Sequence, residues 1–273
     1  MVPVGIIGGM GPFAGAHYVG LFLEECARRI EAGGAGVTDQ RFPPHYLFQL
    51  PVPDRTSALL GAHGEYGQVL QALSGQMDGL RALGARVVAM SCNTAHAWHA
   101  ELQGRHPDMT LLHIGDATAD YLLGKGETEV GLLSTAGTVK SGIYAEALAR
   151  VGIVCREPDG EELDLVMRGI YDGVKAGDNA RGRACFRRAL ARMHRRTGVA
   201  GFLMTAGCMT RGGSRPGNWR GGRWRCPPIP VIPGWRNRRA GRGCRPGSAC
   251  ARRPTDTMTP ICSIAPPNPA RAP

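Results

Sequence analysis

Short apolar segments alternate with segments of helical periodicity through the first 210 residues of the chain. Each apolar segment is four to seven residues long, and short apolar runs of this kind are typical of buried strands in parallel sheets. Strands that alternate with helices form mainly parallel sheets with helices on both faces. The sequence therefore predicts an α/β fold whose ligands bind beyond the carboxyl ends of the strands. The candidate strands are residues 3–9, 46–50, 85–90, 111–114, 130–134, 152–155 and 199–204, and the clearest helices cover 14–30 and 66–83.

The character of the chain changes abruptly beyond Arg211. Residues 211–273 hold thirteen Arg, no Lys and one acidic residue, Asp256, so this tail carries a formal charge of +12 and the preceding part −1. The overall charge of +11 therefore says nothing about the partners of the globular part. Twelve of the twenty prolines also lie in the tail, which cannot bury enough apolar surface to offset its ordering entropy. We expect residues 209–273 to be irregular or disordered, with 229–232 as the one strand-like segment.

The cysteines indicate a reducing environment. Their number, nine, is odd, and no Cys-x-x-Cys pair occurs, which argues against a disulfide framework and a structural zinc site. No apolar run reaches the length of a membrane span. The apolar N-terminus lacks a basic leader, so we interpret it as a first strand and not as a signal peptide. These features favour a cytoplasmic protein without membrane contact.

Three loops follow predicted strands and carry residues suited to chemistry. They are residues 8–12, 91–96 and 205–208, and each places small or polar residues where backbone N–H groups can point at an anion. The glycine loop at 8–12 would also suit a dinucleotide site. Such a site requires an acidic residue at the end of the second strand, and Asp39 precedes that strand.

Two cysteines occupy similar positions in these loops. Cys92 lies between a predicted strand and a predicted helix, where the helix dipole lowers the pKa of a thiol. Cys208 follows a later strand in the same way. Two thiols facing each other across a cleft would remove the α-proton of an amino acid from one face and deliver a proton to the other. The remaining cysteines of the first 210 residues fall within helices or strands, and we interpret them as small buried apolar residues: Cys26, Cys155 and Cys185.

Five ordered motifs resemble those of the aspartate/glutamate racemase family. They are GIIGGMGP (5–12), VPDRTSALL (52–60), SCNTAHAW (91–98), GLLSTAGTVKSGIY (131–144) and VMRGIYDGVKAG (166–177). The resemblance covers positions 1 to about 208. It implies two similar α/β domains, 1–113 and 114–208, related by a pseudo-twofold with the active site in the cleft between them. It also implies a homodimer that racemises an acidic amino acid, aspartate above all, without a cofactor or metal.

The resemblance also assigns roles to individual residues. Asn93, Thr94 and Ala95 match the residues that hold the α-carboxylate of the substrate. Arg55 and Lys175 match basic residues that the aspartate-type members direct at the substrate, and arginine supplies a bidentate fork where lysine supplies a point charge. The resulting site consists of the catalytic thiols Cys92 and Cys208 and of Met10, Arg55, Asn93, Thr94, Ala95, Thr138 and Lys175 as substrate-binding residues, with Thr135 in the loop that lines the cleft and His96 on the helix after Cys92.

The resemblance breaks after Gly207. The second cysteine of the family stands in a Gly-Cys-Thr-Glu loop that is followed by a helical segment, a strand and a closing helix, whereas here Cys208 is followed by Met-Thr and then the tail. A shifted reading frame, which we favour, a genuine basic extension and simple divergence would each explain this. Loss of the terminal strand would leave an unpaired sheet edge. We therefore expect the C-terminus to impair folding or activity.

Two other functions are open on the sequence alone. A Cys-dependent decarboxylase or cis–trans isomerase of a small dicarboxylate would use the same Cys92 loop, but the second cysteine and the two basic residues favour a racemase. The tail interleaves Arg with Trp219, Trp224 and Trp235. Such a segment could contact phosphates and stack on bases, so the alternative from another class is an RNA-binding protein that acts through its tail.

Overall fold

The computed structural model describes residues 2–61 and 64–205, together with the backbone of Arg223–Arg225. It contains two four-stranded sheets in which every pairing is parallel. Both sheets have the same strand order: the first strand lies between the second and the third, and the fourth lies outside the third. The strands of the first sheet are β1 (Val4–Ile7), β2 (His45–Phe48), β3 (Val87–Met90) and β4 (Thr110–Leu111), and those of the second are β5 (Glu129–Leu133), β6 (Val154–Arg156), β7 (Gly201–Met204) and β8 (Arg223–Arg225).

Helices connect the strands of both sheets and pack on their faces. Two 3₁₀ helices, Asp39–Arg41 and Thr94–Trp98, and a π-helix, Gly169–Val174, interrupt the α-helical pattern. The α-helices are α1 (Pro12–Ala32), α2 (Arg55–Leu60), α3 (Glu65–Ala82), α4 (His99–Arg105), α5 (Ile114–Leu123), α6 (Ala136–Lys140), α7 (Ile143–Arg150), α8 (Gly160–Arg168) and α9 (Asn179–Thr197).

The core explains why the strands read as apolar runs. In the central strand β1 every residue is buried. Val4 and Ile6 pack with Phe22 of α1, while Ile7 belongs to a cluster built from α3, β3 and α4. A strand that is covered on both faces needs apolar residues at consecutive positions and not at alternate ones. The second sheet has the same two-sided arrangement, with α5 and α7 in one cluster and α8 and α9 in another.

The prediction of an α/β fold with parallel sheets flanked by helices is confirmed. Each of the seven predicted strands overlaps an observed one. The prediction at 111–114 is wrong in its second half, because β4 ends at Leu111 and α5 begins at Ile114. His113 is the N-cap residue of α5, and its Nδ1 accepts the backbone N–H of Asp116 at 3.2 Å. This cap holds the chain in a helical turn at a point where the apolar letters alone favour a strand.

The backbone of Arg223–Arg225 is the part of the tail that the structure describes, and it differs from the expectation of irregular structure. Arg223–Arg225 forms β8 and pairs in parallel with β7, so the edge of β7 is not left unpaired as the break in the family pattern predicted. Three residues are too few for their periodicity to predict a strand, and the open edge of β7 provides the pairing partner. The strand-like segment 229–232 and the RNA-binding interpretation of the Trp residues otherwise lie outside the described residues.

A close contact of two backbones fixes the π-helix against α9. A Cβ added to Gly173 would lie 2.5 Å from the Cα of Gly182 and 2.7 Å from its N. Only glycine at position 173 allows this approach. The π-helix that it anchors carries Tyr171 and leads directly into Lys175.

Within the part of the chain that the structure describes, no helix combines the length and the apolar character needed to cross a membrane.

Candidate active site

Cys92 lies at the carboxyl edge of the first sheet, directly after β3. The backbone N–H of Ser91 donates to the carbonyl of Ile7 at 2.9 Å, which ties the loop to the end of β1. The carbonyl of Cys92 accepts a hydrogen bond from His96 Nδ1 at 2.9 Å. The Cys92 side chain is 9% exposed. The loop is therefore anchored on both sides of the thiol, in the position where parallel sheets bind ligands.

His96 supports this loop as a neutral imidazole. Because the carbonyl of Cys92 can only accept, Nδ1 of His96 carries the proton. The side chain is 4% exposed, and this burial, together with the neighbouring His113 and His99, lowers the pKa of His96 to about 3 in spite of its backbone hydrogen bonds. His96 therefore stays uncharged near pH 7 and contributes a hydrogen bond to the 3₁₀ helix that follows Cys92.

The buried imidazole makes the stability of the protein sensitive to acid. The pKa of His96 is lower in the folded chain than the value of about 6.5 expected after unfolding. The unfolded state therefore binds more protons between about pH 6.5 and pH 3, and the free energy of unfolding falls as the pH drops through this range. We expect His96 to contribute a slope of about 1.4 kcal/mol per pH unit. Denaturant unfolding at several pH values measures this slope.

The matched variant for this test is His96→Gln, which keeps a side-chain donor and does not titrate. Its stability should vary less steeply with pH than that of the wild type below pH 6. If the variant does not fold, NMR titration of the wild-type imidazoles replaces it. A His96 resonance that titrates near pH 6.5, or equal slopes for both proteins, would contradict the expectation.

Three threonine hydroxyls form a closed set of hydrogen bonds beside the Cys92 loop. Thr94 Oγ1 lies 3.0 Å from Thr135 Oγ1 and 2.9 Å from Thr138 Oγ1, and the latter two are 3.0 Å apart. We call this set the hydroxyl triangle. Thr94 follows β3 of the first sheet, whereas Thr135 and Thr138 follow β5 of the second. The structure thus brings together Thr94 of one sequence motif and Thr135 and Thr138 of another.

Asn93 joins the same two parts of the chain. Its Nδ2 donates to the backbone carbonyl of Thr205, directly after β7, and its Oδ1 accepts the hydroxyl of Tyr144 on α7. Tyr144 is 0% exposed. Tyr144 was not among the site residues predicted from the sequence. A tyrosine in an otherwise apolar buried helix face, within the motif at 131–144, was the available signal.

Backbone carbonyls hold the Arg55 guanidinium in place and leave two of its N–H donors without a partner among the described residues. Nη1 donates to the carbonyls of Val52 and Pro53 at 3.1 and 2.9 Å, and Nη2 donates to the carbonyl of Met10 at 3.0 Å. The residue is 9% exposed, and its buried Nε has no hydrogen-bond partner among the described residues. Since Nη2 carries two hydrogens, the Nε–H and one Nη2–H remain for an anionic ligand.

Lys175 belongs to a small charged cluster with Asp54 and Tyr171, neither of which was predicted as a site residue. Its Nζ lies 3.4 Å from Asp54 Oδ2 and 3.8 Å from the centre of the Tyr171 ring. The Tyr171 hydroxyl is 3.4 Å from both carboxylate oxygens of Asp54. Burial opposes the charge on Asp54, but the N–H of Ser57 and the nearby Lys175 and Arg55 outweigh it and lower the pKa of Asp54. Asp54 is therefore an ionised carboxylate, and its negative charge orients the Lys175 ammonium group. Its signal in the sequence was its position before α2, whose N-cap it forms.

The other predicted site residues have the following places. The side chains of Met10 and Ala95 are buried in the core cluster of the first sheet, and Met10 reaches Arg55 through its carbonyl. Cys208 lies outside the described residues, so its position opposite Cys92 stays a prediction. Within the described ranges, no group of three or more His, Cys, Asp or Glu side chains is arranged to hold a metal ion.

Comparison with known proteins gives a consistent result. The family model for Asp/Glu/hydantoin racemases matches residues 7–208. The aspartate racemase of Picrophilus torridus has a similar structure, with 29% identity, a TM-score of 0.58, and coverage of 76% of this chain and 81% of that one. The aspartate racemase homologue of Pyrococcus horikoshii OT3, at 22% identity and a TM-score of 0.58, shares the fold over 77% of this chain and 86% of its own.

Curated relatives match over shorter stretches. The broad-specificity amino-acid racemase RacX of Bacillus subtilis (strain 168) is 24% identical over 145 residues, which are 53% of this chain and 60% of the relative. The glutamate racemase of Pseudomonas paraeruginosa is 33% identical over 116 residues, 41% of this chain and 42% of the relative. The matched region thus spans about half of the length of these relatives. Because the family model covers most of the chain and includes the Cys92 loop, the protein belongs to the Asp/Glu/hydantoin racemase family.

Proposed function

We propose that this protein racemises an acidic amino acid, aspartate in the first instance, by proton transfer between two cysteine thiols and without a cofactor. In this mechanism the Cys92 thiolate removes the α-proton from one face of the substrate. The Cys208 thiol delivers a proton to the opposite face, and the roles are exchanged for the reverse reaction. We also propose that the protein forms a homodimer, as its resemblance to the family implies.

The hydrogen bond of Asn93 to Thr205 is the observation that carries the proposal. It holds the loop after the third strand of the first sheet against the end of the third strand of the second. These are the loops that contain Cys92 and, three residues beyond Thr205, Cys208. A two-base racemase needs two acid–base groups on loops that meet at one site.

The preference for an acidic substrate is supported by the spare donors of Arg55. A carboxylate that accepts the Nε–H and an Nη2–H forms the bidentate pair that guanidinium groups favour. Lys175 adds positive charge, although Asp54 balances part of it at 3.4 Å. The backbone N–H groups of the Cys92 loop supply hydrogen-bond donors for the α-carboxylate, where negative charge grows as the α-proton leaves. A hydroxyl of the triangle joins them only by giving up its bond to another threonine.

Incubation with L-aspartate in D₂O tests this function. We expect D-aspartate to appear on chiral chromatography and deuterium to enter the α-position of both enantiomers. Release of carbon dioxide without D-aspartate would instead indicate the decarboxylase alternative, and an unchanged, undeuterated substrate would contradict the proposed function for aspartate.

Replacement of Arg55 by lysine tests the role of the guanidinium. Lysine keeps the positive charge but loses both the fork and the three carbonyl contacts. We expect the KM for aspartate to rise by about 10- to 100-fold, because a hydrogen bond to a charged group contributes about 1.5–3 kcal/mol. The matched control is Arg28→Lys, which affects an exposed pair with Glu25 on α1. A KM within twofold of the wild-type value would contradict this role for Arg55.

A further inference from the structure

We infer that Tyr144 is a positioning residue, which fixes the Asn93 amide and through it the separation of the Cys92 loop from the end of β7. The catalytic consequence of this inference rests on the proposed function. The contacts themselves do not depend on the proposed function, since they are hydrogen bonds within the folded chain. Tyr144 lies on α7, outside the loops in which the sequence motifs placed the site residues.

The orientation of the Asn93 amide follows from the chemistry of its partners. A backbone carbonyl can only accept a hydrogen bond, so the atom of Asn93 that faces Thr205 is the nitrogen. The oxygen must then face Tyr144, and the phenol must be the donor. Both ends of the amide are therefore determined, and a reversed amide would set two oxygens against each other at Thr205.

Burial makes the phenol a permanent donor. Tyr144 is fully buried among residues of α5 and α7. Burial raises the pKa of Tyr144, the nearby hydroxyl of Thr118 opposes this, and the neighbouring Cys92 raises it further. The phenol thus keeps its proton beside a Cys92 thiolate. A buried hydroxyl in this position is worth more than an exposed one, because its removal leaves the Asn93 oxygen without a partner.

The arrangement leaves one hydrogen of Asn93 Nδ2 uncommitted. The amide nitrogen carries two hydrogens, and the carbonyl of Thr205 takes one of them. The second is a donor for the substrate carboxylate, in agreement with the role that the resemblance implies for Asn93. Tyr144 therefore acts on the substrate through Asn93, by keeping a donor and not an acceptor at this point of the site.

A double-mutant cycle tests whether Tyr144 acts through Asn93. Tyr144→Phe removes only the hydroxyl, and we expect it to lower kcat by about tenfold, the effect of losing one hydrogen bond. In the Asn93→Ala background the same change should have no further effect, because the group that it positions is gone. Independent effects of the two substitutions on kcat would overturn the inference even if the protein is an active racemase.

A measurement at Cys92 tests the inference without racemase activity. The rate at which iodoacetamide alkylates Cys92, followed by peptide mapping, reports how often the loop opens. We expect about a tenfold higher rate in Tyr144→Phe and no change in Tyr66→Phe, which loses a comparable phenol contact, to Glu101. Should Tyr144→Phe fail to fold, Asn93→Asp takes its place, since its second oxygen would repel the carbonyl of Thr205. Equal alkylation rates in the wild type and the folded variant would overturn the inference, whereas a wild type without racemase activity would contradict only the proposed function.

Discussion

A Cys92→Ser variant is expected to racemise aspartate about 10²- to 10⁴-fold more slowly than the wild type, the usual contribution of a positioned acid–base group. Serine is nearly isosteric with cysteine, but its hydroxyl is a far weaker acid than a thiol and does not supply an anionic base near neutral pH. The incorporation of deuterium at the α-position should decrease together with racemisation, because the same proton transfer controls both. Both are measured in one D₂O incubation by chiral chromatography and mass spectrometry.

A cysteine outside the site provides the control. Cys185 lies half-buried on α9, and Cys185→Ser should retain the wild-type rate. The free energy of unfolding of both variants should stay close to the wild-type value, so that a loss of activity in Cys92→Ser reflects chemistry and not folding. A Cys92→Ser protein that exchanges the α-proton at the wild-type rate would show that Cys92 is not an acid–base group of the reaction.

The Gly173→Ala variant is expected to lose about 3 kcal/mol of stability, at the upper end of the usual effect of overpacking. The added methyl group would meet the backbone of Gly182 at 2.5 Å, and a backbone cannot rotate away as a side chain can. Either the π-helix or α9 must shift. Because the π-helix leads into Lys175, we also expect the KM for aspartate to rise. Urea unfolding gives the first quantity and steady-state kinetics the second.

Gly75 on α3 is the matched control for this change. A Cβ at this exposed helical position would meet no atom within 4 Å. Gly75→Ala should therefore stabilise the protein by about 0.5–1 kcal/mol through the better helix propensity of alanine. If both alanine variants were equally stable, the contact between Gly173 and Gly182 would not be a constraint on the fold.

The sequence predicts most of the framework because the framework depends on local patterns. Strands buried on both faces, such as β1, appear as continuous apolar runs. The Cys92 loop is equally local, since its small and polar residues follow a strand directly. The predicted end of β4 was wrong because the imidazole of His113 caps α5 and so starts a helix where a strand was expected. β8 was missed because its strand conformation depends on the free edge of β7 and not on its own letters.

The contacts that complete the candidate site are long-range, which is why the sequence did not reveal them. Tyr144 reaches Asn93 across 51 positions of the chain, and Tyr171 approaches Asp54 across 117. No periodicity connects residues at such separations. The motifs place each loop at the end of its strand. The hydrogen-bond partner of a given amide or carboxylate is known only from the folded structure, in which loops of the two sheets lie side by side.

The hydroxyl triangle and the Asn93–Thr205 bond both link loops of the first sheet to loops of the second. Any motion that parts these loops to admit a substrate must break the two bonds of Thr94, to Thr135 and Thr138, and the two bonds of Asn93, to Thr205 and Tyr144. At about 0.5–1.5 kcal/mol for each bond, the parted form is a small minority of the molecules at any moment. Breaking hydrogen bonds absorbs heat, so this minority grows on warming. The rate of substrate capture will therefore increase with temperature more steeply than diffusion alone predicts.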